Sequence, residues 1–142
     1  MVGMEILQPV AALAIWTMVM WWWMYVTRLP AFGKVPLTPE EQSTLTHQKL
    51  DEMLPPNVQW KAHNYNHLHE APTVFYAVAI TLAVVGAGSG LAATLGWAYV
   101  ALRVLHSLVQ ATVNRIMLRF AIFGLSSFVL MALVALAAKA VF

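Results

Sequence analysis

The sequence has no cysteine and few charged residues. Cysteine is absent from all 142 residues, and charged side chains make up only 10 % of them. Without cysteine the chain has no disulfide framework, no thiolate nucleophile of its own and no cysteine-based metal site. Soluble domains carry about 25 % charged residues, so the scarcity of charge excludes a soluble globular domain and, more firmly, a disordered chain. The net charge of +2 is too small to argue for nucleic-acid binding.

Apolar residues are what the chain has in abundance, at 61 % of the total. A run of about 20 such residues can cross a hydrocarbon core of roughly 30 Å. We therefore predict an all-α integral membrane bundle, folded as one domain over residues 1–142. A signal peptide is disfavoured, because neither a basic leader segment nor a small-residue cleavage site accompanies the first apolar run. Four transmembrane helices are expected, at about 4–27, 57–86, 91–113 and 115–141.

The first connection, about 28–56, is rich in proline and in acids, as expected of an extramembrane loop. Within it, Thr38-Pro39-Glu40-Glu41 is typical of a helix start and predicts a short interfacial helix over about 39–53. The positive-inside rule places this loop in the cytoplasm and both termini outside, since Lys139 is the lone basic residue on the opposite side. The basic residues on the loop side are Arg28, Lys34, Lys49, Lys61, Arg115 and Arg119.

Charged residues inside the predicted spans point to a site. A charge at the bilayer centre costs about 2.5–3.5 kcal/mol on insertion scales, so Glu70 and Arg103 should face the bundle interior or a water-filled cavity. Helical rise places both, with Arg119, in the cytoplasmic half of the membrane. Each also belongs to a polar stripe at helical spacing, and three such stripes predict a polar cleft open to the cytoplasm. The stripes are His63, Asn66, His67 and Glu70; Arg103, His106, Ser107, Gln110 and Asn114; and Arg115 with Arg119.

Other interpretations of these residues remain open. Glu70 and Arg103 would also serve as an ion pair that fixes helix register. His63, His67 and Glu70 have a spacing that suits a metal, although no HExxH pattern is present, and His67 with His106 would suit haem ligation. Pro72 predicts a kink just after Glu70, because it cannot donate a hydrogen bond to the carbonyl of Leu68. A Ser-His hydrolase is disfavoured, since adjacent helical residues point about 100° apart.

Two segments resemble a known family. The stretch from His67 to Ala77, with Glu70, Pro72 and Phe75-Tyr76, is similar to the helix-two signature of the membrane-associated proteins in eicosanoid and glutathione metabolism, particularly the bacterial branch. The stretch 99–109, containing Arg103 and His106, resembles the helix-three signature of that branch. Asn114-Arg115 and Arg119-Phe120 fit as well, so the resemblance covers nearly the whole chain.

The resemblance implies a homotrimer of four-helix protomers in a membrane, here the bacterial inner membrane. It implies glutathione as co-substrate, bound between neighbouring protomers, and a lipophilic second substrate arriving from the lipid. Arg119 would stabilise the glutathione thiolate, Glu70 would hold the amino group and pair with Arg103, and Arg28 would reach a carboxylate. The other residues expected around glutathione are His63, Asn66, His67, His106, Gln110 and Arg115, and no metal is expected.

Three positions depart from the family pattern. His67 replaces the usual asparagine three residues before the glutamate, His63 replaces an arginine, and Gln110 replaces a tyrosine. These changes remove a carboxylate anchor and a hydroxyl near the sulfur. The expected convergence of Glu70, Arg103 and Arg119 nevertheless favours a glutathione transferase or peroxidase-like enzyme. The rivals are a non-catalytic lipid- or partner-binding protein of the same fold and a small proton-carrying membrane component.

Overall fold

The computed structural model describes residues 3–142, and the regular structure of that part of the chain is helical throughout. Two short helices, Pro39–Thr44 and His47–Glu52, lie in the predicted loop. The expected helix over 39–53 is therefore divided at Leu45 and Thr46. The helices are α1 (Leu7–Gly33), α2 (Pro39–Thr44), α3 (His47–Glu52), α4 (Pro56–His67), α5 (Ala71–Val84), α6 (Leu91–Thr112) and α7 (Ile116–Val141).

Three of these helices, α1, α6 and α7, are long and apolar enough to cross a membrane. The first continues to Gly33, beyond the predicted end at residue 27, with Pro30 inside it. The second predicted span is not one helix. It consists of α4, with 12 residues, and α5, with 14, each shorter than a spanning helix needs to be.

The interruption between α4 and α5 has a local cause. Pro72 has no N–H with which to extend the hydrogen-bond ladder of α4. Its ring would also clash with the carbonyl one turn earlier if the helix continued. α4 ends instead in hydrogen bonds between residues three apart. The N–H groups of His69 and Glu70 donate to the Asn66 and His67 carbonyls at 3.0 and 3.2 Å, respectively. α5 then begins with Pro72 in its first turn, where proline is tolerated. The predicted kink is therefore a full break at 68–70.

The loop helices are capped as the sequence indicates. The Thr38 hydroxyl accepts from the Glu41 N–H at 3.3 Å, and the Glu41 carboxylate accepts from the Thr38 N–H at 2.9 Å. This reciprocal capping box fixes the start of α2. α3 is tied to α1 by an ion pair between Asp51 and Arg28.

The bundle packs around α6, which contacts α7 most extensively and also contacts α1 and α4, while α5 packs on α7. Phe75 of α5 stacks on Tyr99 of α6 with ring centroids 4.6 Å apart, and both rings are fully buried. Gly96 allows α6 to approach α1 closely, because a Cβ there would lie 3.0 Å from the Pro9 ring. α7 buries only one narrow stripe and leaves most of its apolar surface uncovered.

Candidate functional site

The α6 polar stripe, defined as Arg103, His106, Ser107 and Gln110, is buried within the chain. Its members recur at i, i+3, i+4 and i+7, so they share one face, which α6 turns toward the other helices. Arg103 is only 2 % exposed. Its Nε donates to the Tyr99 hydroxyl at 3.1 Å, and its guanidinium lies 5.2 Å from the centre of the Phe123 ring. The stripe therefore gives the bundle a polar and cationic interior.

The expected ion pair between Glu70 and Arg103 is absent from the described residues, and this prediction was wrong for the single chain. Glu70 lies in the break before α5 with an exposed side chain, and its carboxylate oxygen is 3.4 Å from Nδ1 of His67. Glu70 is exposed together with His63 and Asn66, so this side of the predicted stripe faces outward and not toward Arg103. Arg103 instead keeps a buried Nη2 with no hydrogen-bond partner in residues 3–142.

The two faces of α4 are also arranged differently from the prediction. His63, Asn66 and Glu70 form an exposed outer face, whereas Val58, Lys61, Ala62, Asn64 and Leu68 form the buried inner face. The Lys61 ammonium donates to the Ala111 carbonyl of α6 at 3.3 Å and lies 5.2 Å from the Trp23 ring centre. The expected cleft, formed by stripes from three helices, therefore receives only His67 from the α4 stripe.

One pocket brings three of the predicted site residues together. This Arg119 pocket has a volume of about 250 Å³ and is lined by His67, His106, Ile116, Arg119, Phe120 and Phe123. The rings of His67 and His106 have their centroids 6.3 Å apart in an edge-to-face arrangement. The pocket is thus lined by two histidines and an arginine together with three apolar side chains. A site of this kind suits an anionic group attached to, or reacting with, a lipophilic molecule.

The turn between α6 and α7 positions Arg119. Asn114 adopts the left-handed conformation, with φ of 50°, which asparagine tolerates better than most residues. Its N–H donates to the Val109 carbonyl at 2.7 Å, and its side-chain oxygen accepts from Nη1 of Arg119 at 2.6 Å. Asn114 was predicted as part of the α6 stripe; its place here is in the turn, where it holds the pocket's arginine.

Three further predicted residues lie outside the Arg119 pocket. Arg28 pairs with Asp51 and lies over the Phe32 ring, in a separate pocket between α1 and α3. Arg115 is exposed at the start of α7. Gln110 is buried further along α6, toward Ala111 and the Lys61 contact. Within residues 3–142, no three potential metal-ligating side chains cluster closely enough to hold an ion.

One known protein family matches the chain. The model of the MAPEG family matches residues 6–139, which is nearly the full length of the chain. The chain belongs to the MAPEG family. No curated protein and no solved structure matches it. As a MAPEG protein with three long apolar helices, it fits an integral membrane protein of a family linked to glutathione-dependent transferases and peroxidases.

Sequence reasoning missed two buried residues of this MAPEG chain. Asn64 is fully buried, and neither its amide nitrogen nor its oxygen has a hydrogen-bond partner in the described residues. Lys61 was assigned to the loop side for its charge, but its side chain extends inward to α6. The spacing of Val58, Lys61, Asn64 and Leu68 is as helical as that of His63, Asn66 and Glu70, so spacing alone does not decide which face is buried.

Proposed function

We propose that the chain is a membrane-bound glutathione-dependent enzyme that adds the glutathione thiolate to lipophilic electrophiles or uses it to reduce lipid hydroperoxides. The observation that carries this proposal is the Arg119 pocket, in a chain of the MAPEG family. Family membership supports the glutathione chemistry. The pocket supports the place that we assign to this chemistry, because basic and apolar side chains line it together.

Arg119 is the residue to which we assign thiolate stabilisation. The thiolate rather than the thiol is the nucleophile, and a neighbouring guanidinium in a poorly hydrated site favours the charged form. Arg119 remains protonated at any physiological pH. Its hydrogen bond to Asn114 holds the guanidinium toward the pocket, so the stabilising charge is in place before substrate arrives.

The apolar residues of α7 provide the route for the second substrate. Ile116 and Phe120 line the pocket and are 75 % and 70 % exposed, so they would face lipid in a membrane. An electrophile dissolved in the bilayer would reach Arg119 laterally past these side chains. The pocket would thus bring a water-soluble tripeptide and a lipid-soluble partner together at the membrane boundary.

We further propose that the site is completed in a homotrimer. Small-molecule pockets usually have volumes of about 300–1,000 Å³, and the Arg119 pocket is below that range. The outer face of α4 carries His63, Asn66 and Glu70 in the open, next to this pocket. A neighbouring protomer would cover that face and supply the missing walls, with glutathione bound between the two. Arg28, Arg103, Gln110 and Arg115 would contribute from the surrounding helices.

The orientation we propose places the loop with α2 and α3 in the cytoplasm and both termini outside, in a bacterial inner membrane. The support is the distribution of basic residues, which are concentrated on the loop side. Glutathione is then drawn from the cytoplasm, and the Arg119 pocket lies in the cytoplasmic half of the membrane.

Turnover by the purified protein tests the proposal. Wild type in lipid nanodiscs should conjugate glutathione to a chlorodinitrobenzene. Arg119→Ala should lower kcat/KM by about 100-fold or more, because it removes the stabilising charge from the transition state. The matched control is Lys139→Ala, which removes a basic residue from the opposite end of the same helix and should leave turnover unchanged.

Two outcomes would contradict the enzyme proposal. Equal turnover by wild type and Arg119→Ala would remove Arg119 from the chemistry. Wild type that neither turns over nor binds glutathione, measured by calorimetry, while binding a lipophilic ligand in the same pocket, would establish the non-catalytic alternative.

A further inference from the structure

His67 lies between a carboxylate and the Arg119 pocket. It is the last residue of α4, and the break after it carries Glu70 back so that the Glu70 carboxylate is 3.4 Å from Nδ1. The same ring lines the pocket beside His106 and Arg119. His67 therefore contacts a negative group on one side and the proposed reaction site on the other.

A carboxylate next to one ring nitrogen determines what the other nitrogen does. With Glu70 beside Nδ1, the favoured neutral tautomer of His67 carries its proton on Nδ1, and Nε2 is left as a proton acceptor. This is the arrangement of a general base held by a positioning residue.

The other groups around His67 are less suited to that role. Arg119 of α7 is permanently charged and accepts no proton. His106 of α6 is only 4 % exposed, with Arg103 one turn before it on the same helix. His63 of α4 lies on the exposed side, and the α1 arginine, Arg28, is paired with Asp51. The His67 side chain is 37 % exposed, so it can return a proton to water.

We propose that the Glu70–His67 pair is the general base that takes the thiol proton of glutathione. The proposal rests on the proposed function and goes beyond it, because the asparagine of the family pattern at this position cannot accept a proton. Nε2 of His67 takes the proton as the S–H bond breaks, and Arg119 holds the thiolate. With a chlorodinitrobenzene as the electrophile, the sulfur then bonds to the ring carbon that carries chlorine, and chloride leaves with its electron pair. The imidazolium finally releases its proton to water past Glu70.

The pH profile of kcat/KM for conjugation of a chlorodinitrobenzene tests this assignment. Wild type should be active near neutral pH, where free glutathione is still mostly a thiol. His67→Asn should lose about 100-fold near neutral pH and recover as rising pH ionises the thiol directly. Glu70→Gln should lose less, because it keeps the His67 ring. His69→Asn is the matched control, because His69 is exposed, contacts the Tyr65 carbonyl and does not line the pocket.

Two further measurements separate a base from a binding residue. At a glutathione concentration that calorimetry shows to be saturating, the ultraviolet absorbance of bound thiolate near neutral pH should be lower for His67→Asn than for wild type. A His67→Asn protein with wild-type thiolate absorbance and pH profile would overturn the base assignment and leave the proposed function intact. A wild-type protein without glutathione turnover would instead overturn the proposed function, and the base assignment with it.

Discussion

α4 and α6 both carry polar residues at helical spacing, but only α6 turns that stripe inward. Arg103, His106, Ser107 and Gln110 are all buried within one chain, whereas His63, Asn66 and Glu70 of the α4 stripe are exposed. The difference lies in what surrounds the polar residues. The other residues of α6 are largely apolar, so its polar face is distinct, while α4 is polar on nearly every side.

This comparison assigns different roles to the two stripes. The α6 stripe belongs to the interior of the protomer, because its side chains are buried there and Arg103 donates to the Tyr99 hydroxyl. The outer face of α4 leaves His63 and Asn66 exposed, and we propose that glutathione or a second protomer contacts this face. Substitutions on the two faces should therefore affect different properties.

The largest difference should come from placing a leucine side chain on each face. Ser107→Leu forces a large side chain into a fully buried position and should destabilise the protein by about 1–3 kcal/mol, seen as a lower midpoint of thermal unfolding in detergent. Asn66→Leu, on the outer face of α4, should change stability by less than about 0.5 kcal/mol. Equal losses for the two variants would show that the faces do not differ as described.

A smaller effect is expected at the end of α6, where the stripe meets α7. Asn114→Ala should destabilise the protein by about 1 kcal/mol, because alanine is strained at positive φ. Asn114→Gly should keep the stability, since glycine accepts this conformation freely. Both variants lose the acceptor for Arg119, so both should lower glutathione turnover. Unchanged turnover in Asn114→Gly would show that Asn114 does not position Arg119.

The smallest effect is expected on the inner face of α4. Asn64 is fully buried and both ends of its amide lack partners in residues 3–142, so Asn64→Leu, of similar volume, removes no hydrogen bond to those residues. Stability should remain within about 1 kcal/mol of wild type or increase. A loss of more than about 2 kcal/mol in thermal unfolding would mean that a bound water or ligand satisfies this amide, and the inner face would then resemble the α6 stripe.

Sequence alone predicts the helical membrane class and the inward face of α6. Both depend on long apolar runs and on a polar stripe that contrasts with its surroundings. Residues 91–113 and 115–141 contain α6 and α7 nearly end to end. The Thr38 cap at the start of α2 is likewise a local signal that needs no tertiary information.

The sequence pattern does not predict which face of α4 is buried or where the Glu70 side chain lies. Lys61 and Asn64 are as polar as His63 and Asn66, so composition does not show which pair is buried. Lys61 is inward because its ammonium reaches the α6 carbonyl of Ala111, a contact between distant parts of the chain. Pro72 indicated a kink, but the orientation of Glu70 toward His67 depends on how the broken turn closes.

A structure of the purified protein in lipid nanodiscs with glutathione, determined by electron cryomicroscopy, tests the central claim most directly. We predict three protomers, with density for a tripeptide between neighbours, its sulfur within reach of Arg119 and His67, and the outer face of α4 covered. A monomer, or an assembly whose Arg119 pocket holds only lipid in the presence of glutathione, would contradict the claim.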